Sequence, residues 1–391
     1  MVWWFNIPRV AFGEDALSDI ERLSGRHAII VTDRIVRGKG LVDRVEQLLR
    51  KNGWEVTVWA EAEPDPRVSV VRSAAAAMEQ AGIDLIVAVG GGSVMDTAKA
   101  AWVLYARPDM RLEELTPFDT LSLRSRARLV CIPTTAGTGS EATRAIVVRE
   151  DETGRKFATI NPELTADLAI LDPEFVRDLP RDLTVNTGMD ALSHAVEGFV
   201  SVWKNDFSDA CSMKAIRLIF EWLPRSVADP GDMQAREKML VASCLAGMSF
   251  SNSQVCIAHS LGHSMGSVLR IHHGLAVGIA LPYTVEFNAD GSPNAAEDYR
   301  ELADLIGASR GTALESARAF ADRIRGLQKQ VGFPLSLREA GVKPEDLENG
   351  LDRLVEYAMM DSSITMTPRD VQADDLRRIY RCMYDGTPVD F

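Results

Sequence analysis

Short hydrophobic runs alternate with longer amphipathic stretches between about residues 26 and 172. The amphipathic stretches at 41–51 and 68–79 predict helices. The hydrophobic runs are rich in β-branched side chains and predict strands at 28–32, 55–59, 84–89, 129–132, 145–148 and 168–171. Strands that alternate with helices predict a mostly parallel sheet with helices on both of its faces.

The strand pattern fades after about residue 180, and helical periodicity replaces it. Helices are predicted at 185–200, 209–222, 233–250, 255–269, 313–330 and 344–360. Segments rich in Pro, Gly and Asp, such as 229–232 and 290–294, are typical of loops between helices. The pattern therefore predicts an α/β domain at 1–180 and a helical domain at 181–391.

The composition of the chain argues against nucleic-acid-binding, membrane-spanning and secreted proteins. The chain has 391 residues, 46% of them hydrophobic, and a formal net charge of -13, which argues against a nucleic-acid partner. No hydrophobic run approaches the roughly 20 residues of a membrane helix, and the first residues lack the pattern of a signal peptide. The five cysteines form no Cys-x-x-Cys pair, which favours free thiols in a reducing compartment. We expect a cytoplasmic protein with no membrane partner.

A glycine-rich loop, Gly90-Gly91-Gly92-Ser93, follows the predicted strand at 84–89 and leads into helix-forming residues. A strand, a glycine turn and a helix in this order direct backbone N–H groups to one point, which favours a bound phosphate. The loop matches neither the Walker A pattern nor Gly-x-Gly-x-x-Gly. A tight turn without a ligand remains the alternative.

A second polar loop, 133–143, follows the predicted strand at 129–132 and contains five hydroxyl side chains and two glycines. Such a loop suits hydrogen bonds to a ribose, an amide or phosphates at the carboxyl edge of a sheet, or it caps a short helix. Asp33, close to the end of the first predicted strand, is a candidate acceptor for ribose hydroxyls.

The second half of the chain concentrates metal-binding side chains. Asp190 and His194 lie four residues apart among good helix formers, so both face the same side of a helix. Four of the six histidines lie within 258–263 and 271–274. One carboxylate with several imidazoles suits Fe²⁺, Zn²⁺, Co²⁺ or Mn²⁺, and the donor types alone do not choose among these ions.

The glycine loop at 90–99, the polar loop at 133–141, the stretch 188–194 and the histidine segments 258–263 and 273–274 together resemble the iron-containing (group III) alcohol dehydrogenases. The resemblance spans almost the whole chain. It implies a Rossmann-like N-terminal domain that binds NAD(P) and an all-α C-terminal domain that holds a divalent metal, with the substrate in the cleft between them. This is the two-domain architecture of dehydroquinate synthase.

The resemblance also implies roles for individual residues. Asp190, His194, His259 and His273 match the metal ligands, and His263 matches a histidine near the nicotinamide and the substrate. The positions that match nucleotide contacts are Asp33, Gly91, Gly92, Ser93, Asp96, Thr134, Thr135, Thr138 and Lys156. Two departures are Val94-Met95 in the glycine loop and His272, which stands where many members have proline and is a competing ligand.

The resemblance and these features predict a metal-dependent oxidoreductase that transfers hydride between NAD(H) and a small primary alcohol or aldehyde, with a hydroxy acid or another functionalised aldehyde as a further possible substrate. Fe²⁺ is the expected metal with Zn²⁺ second, and NAD(H) is preferred to NADP(H). His263 either relays a proton or only packs on the nicotinamide. The alternatives are a lyase of the dehydroquinate synthase type, a maleylacetate reductase-like enzyme and a non-catalytic NAD-binding protein. The apolar opening Val2-Trp3-Trp4-Phe5 predicts a homodimer or higher homo-oligomer.

Overall fold

The computed structural model describes residues 4–152, 154 and 156–391, and half of the apolar opening, Val2 and Trp3, lies outside them. The chain forms two compact units, Met1–Leu179 and Pro180–Phe391. The division falls one residue before the predicted boundary. Each unit has its own architecture, and the first is an α/β unit while the second is helical.

The first unit is built on a parallel sheet of six strands in the order β1-β8-β5-β4-β2-β3. Its strands are β1 Arg9–Phe12, β2 His27–Val31, β3 Glu55–Trp59, β4 Leu85–Gly90, β5 Arg128–Pro133 and β8 Leu168–Leu171, and its helices are α1 Arg34–Gly38, α2 Leu41–Lys51, α3 Val68–Ala81 and α4 Gly92–Ala106. Strands β6 Ala145–Arg149 and β7 Lys156–Ile160 form a separate antiparallel pair. The predicted parallel sheet is confirmed, whereas β1, β7 and α1 were not predicted.

Alternate side chains of the sheet enter two different cores. Ile29 and Ile86 pack in a hydrophobic cluster with residues of α3 and α4, while Ile30 and Val87 pack in another with residues of α2. This alternation follows from the two-residue repeat of a β-strand. Helices therefore cover both faces of the sheet, as the sequence pattern predicts for parallel strands.

The second unit contains nine helices among the residues that the structure describes. They are α5 Arg181–Val200, α6 Asp206–Ala228, α7 Met233–Ser253, α8 Ile257–Val268, α9 His273–Gly291, α10 Pro293–Leu305, α11 Ala313–Val331, α12 Pro344–Met360 and α13 Ala373–Asp385. Helix α5 lies at the centre and contacts α6, α7 and α9. Six of the nine helices were predicted, and α9, α10 and α13 were not. The loop predicted at 290–294 is shorter than expected, since only Ser292 separates α9 from α10.

Local signals set several helix boundaries. Val42, Val45 and Leu49 of α2 are buried and recur at the helical period, so one face of the helix packs on the core. Helix α11 begins at a capping box in which Thr312 and Glu315 bond each other's backbone N–H groups.

No single helix in the described ranges is long and apolar enough to cross a membrane. Helices α7 and α8 together have the length and composition of a membrane span, but they are bent by 104° where they meet.

Candidate metal and nucleotide sites

Asp190, His194, His259 and His273 meet inside the second unit. One ligand atom from each lies within 4.8 Å of every other. His194 Nε2 lies 3.9 Å and His273 Nε2 lies 3.5 Å from the same carboxylate oxygen, Oδ1 of Asp190. The rings of His194 and His259 stack with centroids 4.6 Å apart. The structure therefore brings together all four of the residues that the sequence predicts as metal ligands.

Two atoms of this cluster are buried and have no hydrogen-bond partner among the residues that the structure describes. They are Oδ1 of Asp190 and Nε2 of His259. A buried polar atom without a partner costs about 1–3 kcal/mol, so its presence calls for an explanation. A divalent cation between the four side chains would satisfy both atoms, since carboxylate oxygen and imidazole nitrogen are ligands for such ions. The donor set thus fits the metal that the resemblance implies.

Three helices position the four ligands. Asp190 and His194 are one turn apart on α5, His259 lies in the first turn of α8, and His273 is the first residue of α9. Gly274 allows the start of α9 to approach α5, because a Cβ there would lie 2.4 Å from the carbonyl oxygen of Asn186. His272 is exposed and does not belong to the cluster. The competing ligand considered from the sequence is therefore not supported.

Glu197 holds the side of His259 that faces away from the ligand cluster. Its Oε2 lies 2.5 Å from His259 Nδ1, and its Oε1 accepts a hydrogen bond of 2.5 Å from the N–H of Ala258. Burial raises the pKa of Glu197 to about 7 and lowers the pKa of His259 well below its usual value. Histidine metal ligands commonly donate their second N–H to a carboxylate, which fixes the ring and the tautomer. Here that contact leaves Nε2 as the ligand atom.

His263 stands beside the cluster without joining it. Its ring stacks on His273 with centroids 5.2 Å apart, and its Nδ1 lies 2.8 Å from Oδ2 of Asp361. Burial would raise the pKa of Asp361, but the hydrogen bond and the charge of His263 outweigh it and hold that pKa well below its usual range. Asp361 thus remains a carboxylate that orients the imidazole, and the side chain of His263 is 38% exposed.

The two polar loops meet in the first unit at the carboxyl edge of the sheet, where Gly90 of β4 pairs with Pro133 of β5. Gly91 precedes α4 and Gly92 is its first residue. A Cβ added at Gly92 would lie 3.0 Å from Cγ2 of Thr138, so a larger residue there would push the Thr138 side chain away. The start of α4 and the polar loop therefore form one surface, and the first N–H groups of a helix lack partners within the helix, which suits a phosphate.

One atom of this surface also lacks a partner. The hydroxyl oxygen of Thr135 is buried without a hydrogen bond to any described residue, and it lies 3.5 Å from the place that a Cβ on Gly91 would occupy. Asp33 follows β2 and caps α1, where its Oδ1 accepts a hydrogen bond of 2.8 Å from Val36 N–H. These residues fit a nucleotide. Thr134 and Ser93 belong to the same two loops.

Asp96, which the resemblance implies as a nucleotide contact, makes hydrogen bonds within the protein. Its two carboxylate oxygens accept hydrogen bonds from the Ser140 hydroxyl at 2.9 Å and from Val147 N–H at 3.0 Å. Burial raises the pKa of Asp96 to about 6. One turn further along α4, the fully buried Lys99 donates to the carbonyl oxygens of Ser140 at 2.7 Å and Thr143 at 2.8 Å. Both side chains thus bind the polar loop to α4.

Lys156, the predicted ribose contact, lies in β7 and forms an ion pair of 2.5 Å with Asp65. Sequence reasoning missed Lys99, Glu197 and Asp361. Glu197 lies three residues after His194, a helical spacing that offered a signal for it. Asp361 lies 98 residues from its partner His263, and no local pattern connects the two.

Comparison with known proteins agrees with this geometry. The family model "Iron-containing alcohol dehydrogenase" matches residues 8–173, and the model "Fe-containing alcohol dehydrogenase family, C-terminal" matches residues 184–384. The NADPH-dependent butanol dehydrogenase of Clostridium saccharobutylicum is 36% identical over 390 residues, which cover 99% of both chains. The NAD-dependent methanol dehydrogenase of Bacillus methanolicus is 32% identical over 97% of this chain and 99% of its own.

A solved structure of a 1,3-propanediol oxidoreductase superimposes with a TM-score of 0.89 at 33% identity, covering 98% of this chain and all of the other. It supports the predicted α/β domain followed by a helical domain. The predicted resemblance is confirmed, and the chain belongs to the iron-containing alcohol dehydrogenase family of metal-dependent, NAD(P)-linked alcohol dehydrogenases and aldehyde reductases.

Proposed function

We propose that this protein is an iron-dependent enzyme that reduces small aldehydes with NADH and oxidises the corresponding primary alcohols with NAD⁺. The observation that supports this most strongly is the mostly buried cluster of Asp190, His194, His259 and His273, in which two ligand atoms have no partner within the described ranges. Family membership favours iron, and zinc is the second candidate because the same donors bind it.

The bound metal supplies a Lewis acid for the substrate oxygen, and the nicotinamide supplies or accepts the hydride. The residues of the chain hold and orient these groups. Glu197 fixes the ring of His259, and the loops around Gly92 and Thr135 hold the nucleotide. Asp361 keeps a proton on Nδ1 of His263, so Nε2 of His263 is the atom that exchanges the proton of the substrate hydroxyl.

The preference for NADH rests on Asp33. Its Oδ1 is used in the cap of α1, and its negative charge lies at the carboxyl edge of the sheet, where it would repel a 2′-phosphate. The two relatives differ in their nucleotide, because the butanol dehydrogenase is named NADPH-dependent and the methanol dehydrogenase NAD-dependent. The cofactor preference of this chain therefore has to come from its own residues. The homodimer and the cytoplasmic location stay predictions.

The test is the oxidation of NADH and of NADPH by the iron-loaded protein with a panel of small aldehydes, before and after chelation. We expect chelator-sensitive activity that is restored by Fe²⁺ and is faster with NADH. Bound metal without NADH oxidation for any aldehyde would contradict the proposal and would favour lyase chemistry of the dehydroquinate synthase type. Equal rates with NADPH would contradict the role of Asp33 alone.

A further inference from the structure

Gln254 has a backbone conformation that side-chain-bearing residues rarely adopt. Its φ is 74° and its ψ is 163°, a region that is open almost only to glycine. Four other non-glycine residues described by the structure have positive φ. Two of them, Asp15 and Ser122, have ψ of 15° and 37° and so lie in the milder left-handed helical region. Gln254 is therefore the more strongly strained residue.

Contacts on both sides hold residue 254 in this conformation. Its N–H donates to the carbonyl oxygen of Phe250 at 2.7 Å, and the carbonyl oxygen of Ser253 accepts a hydrogen bond from the hydroxyl of Ser201. On the other side, the thiol of Cys256 donates to the carbonyl oxygen of Met366 at 3.3 Å. The backbone is thus fixed at the corner between α7 and α8.

The side chain of Gln254 makes no hydrogen bond to the described residues that would offset this strain. It is half-buried, and its amide has no hydrogen-bond partner among the described residues. The two preceding side chains behave differently, since Asn252 donates to the carbonyl oxygen of Met248 and Ser253 donates to that of Ser249. A strained residue with an unused amide suggests a role outside the stability of the fold.

The corner lies next to the metal ligands. The ring of Phe250 stacks on His194 with centroids 4.2 Å apart, and Gln254 follows Phe250 by four residues, a rise of about 6 Å along a helix. Helix α8 starts three residues after Gln254 and carries His259. Residue 254 therefore lies between α7, whose Phe250 packs on a metal ligand, and α8, which carries another.

We infer that Gln254 is a specificity-determining residue, whose amide binds a hydroxyl group of the substrate next to the reacting carbonyl. An amide both donates and accepts hydrogen bonds, which matches a hydroxyl group, whereas a carboxylate is usually bound by arginine or lysine. The preferred substrates are therefore short hydroxyaldehydes rather than plain alkyl aldehydes. This inference rests on the proposed aldehyde reductase activity.

The test compares kcat/KM for 3-hydroxypropanal and propanal, which have equal chain length, in the iron-loaded wild type and in Gln254→Gly and Gln254→Leu. We expect both variants to lower the ratio of the two values by about tenfold, the usual effect of one hydrogen bond, mainly through the KM of the hydroxyaldehyde. Gln254→Gly should also raise Tm by about 2–4 °C because it relieves the strain, and Gln254→Leu should not.

Ser122→Gly is the matched control, because it relieves a positive φ of 54° in the other unit and should leave the substrate ratio unchanged. A ratio that stays at the wild-type value in both Gln254 variants overturns the inference, even if Tm rises. A ratio that falls equally in Ser122→Gly overturns it as well. Failure of the wild type to reduce either aldehyde refutes the proposed function itself, so the two failures are distinguishable.

Discussion

Replacing Glu197 with glutamine should weaken metal binding although this residue is not a ligand. The carboxylate receives two hydrogen bonds of 2.5 Å, from Ala258 N–H and from His259 Nδ1. The two donors contact different oxygens of the carboxylate, and a glutamine amide has an oxygen at only one of these positions and an NH₂ group at the other. One buried donor then loses its partner, at a cost of about 1–3 kcal/mol.

The substitution also weakens metal binding, because His259 loses the contact that fixes its tautomer and its ring. Loss of such a supporting carboxylate typically reduces metal affinity by about 10–100-fold, which corresponds to about 1.4–2.8 kcal/mol. We expect the Kd for Fe²⁺, measured anaerobically by competition with a chromogenic chelator, to rise by this factor in Glu197→Gln.

Glu286→Gln provides the matched control. Glu286 is also a buried glutamate of the helical unit, but it pairs with Arg325 at 2.5 Å instead of a metal ligand. Its substitution should lower Tm and leave the Kd for Fe²⁺ unchanged. A Kd for Glu197→Gln that equals the wild-type value, or a similar rise in both variants, would refute the role of Glu197 as the support of His259.

Three further predictions follow from other sites. Asp33→Asn keeps a side chain that can cap α1 through Val36 N–H and removes the negative charge, so the ratio of kcat/KM with NADPH to that with NADH should rise; an unchanged ratio would contradict the role of the charge. His263→Ala should retain its metal, measured by mass spectrometry, while kcat falls about 100-fold or more; an unchanged kcat and pH profile would exclude proton relay. Burial raises the pKa of Asp209 from 3.8 to about 6, so the stability linked to its protonated form is complete below about pH 4 and is lost as the pH rises through about 6. In urea unfolding, Asp209→Asn should therefore be more stable than the wild type at pH 8, by about 1 kcal/mol after allowance for its partial exposure, and no more stable at pH 4.

The fold could be predicted where the sequence has a clear period. The helix at 41–51 was predicted with the observed bounds because its buried residues recur at the helical spacing. Helix α9 was missed because it is buried on nearly all sides and contains Pro282, so it shows neither amphipathic periodicity nor an uninterrupted helical composition. Strand β1 has only four residues and lies at the edge of the sheet, where the hydrophobic pattern is weak.

Site residues could be predicted from the sequence pattern where they lie close together in the chain. Asp190 and His194 follow from the four-residue spacing of a helix, whereas His259 and His273 join them only through packing, so their assignment needed the resemblance. The pattern at 145–148 correctly predicted strand β6, but its antiparallel partner β7 was missed, since Lys156–Ile160 is short and half-exposed. Pairing between strands is a tertiary property that no single segment specifies.

Metal content of the anaerobically purified protein tests the central claim most directly. Mass spectrometry of the wild type and of Asp190→Ala should find about one iron or zinc ion per chain in the wild type and a large loss in the variant, because the variant lacks the only carboxylate of the cluster. A wild type that holds no metal even after anaerobic reconstitution with Fe²⁺, or an Asp190→Ala variant that retains full occupancy, would contradict the account.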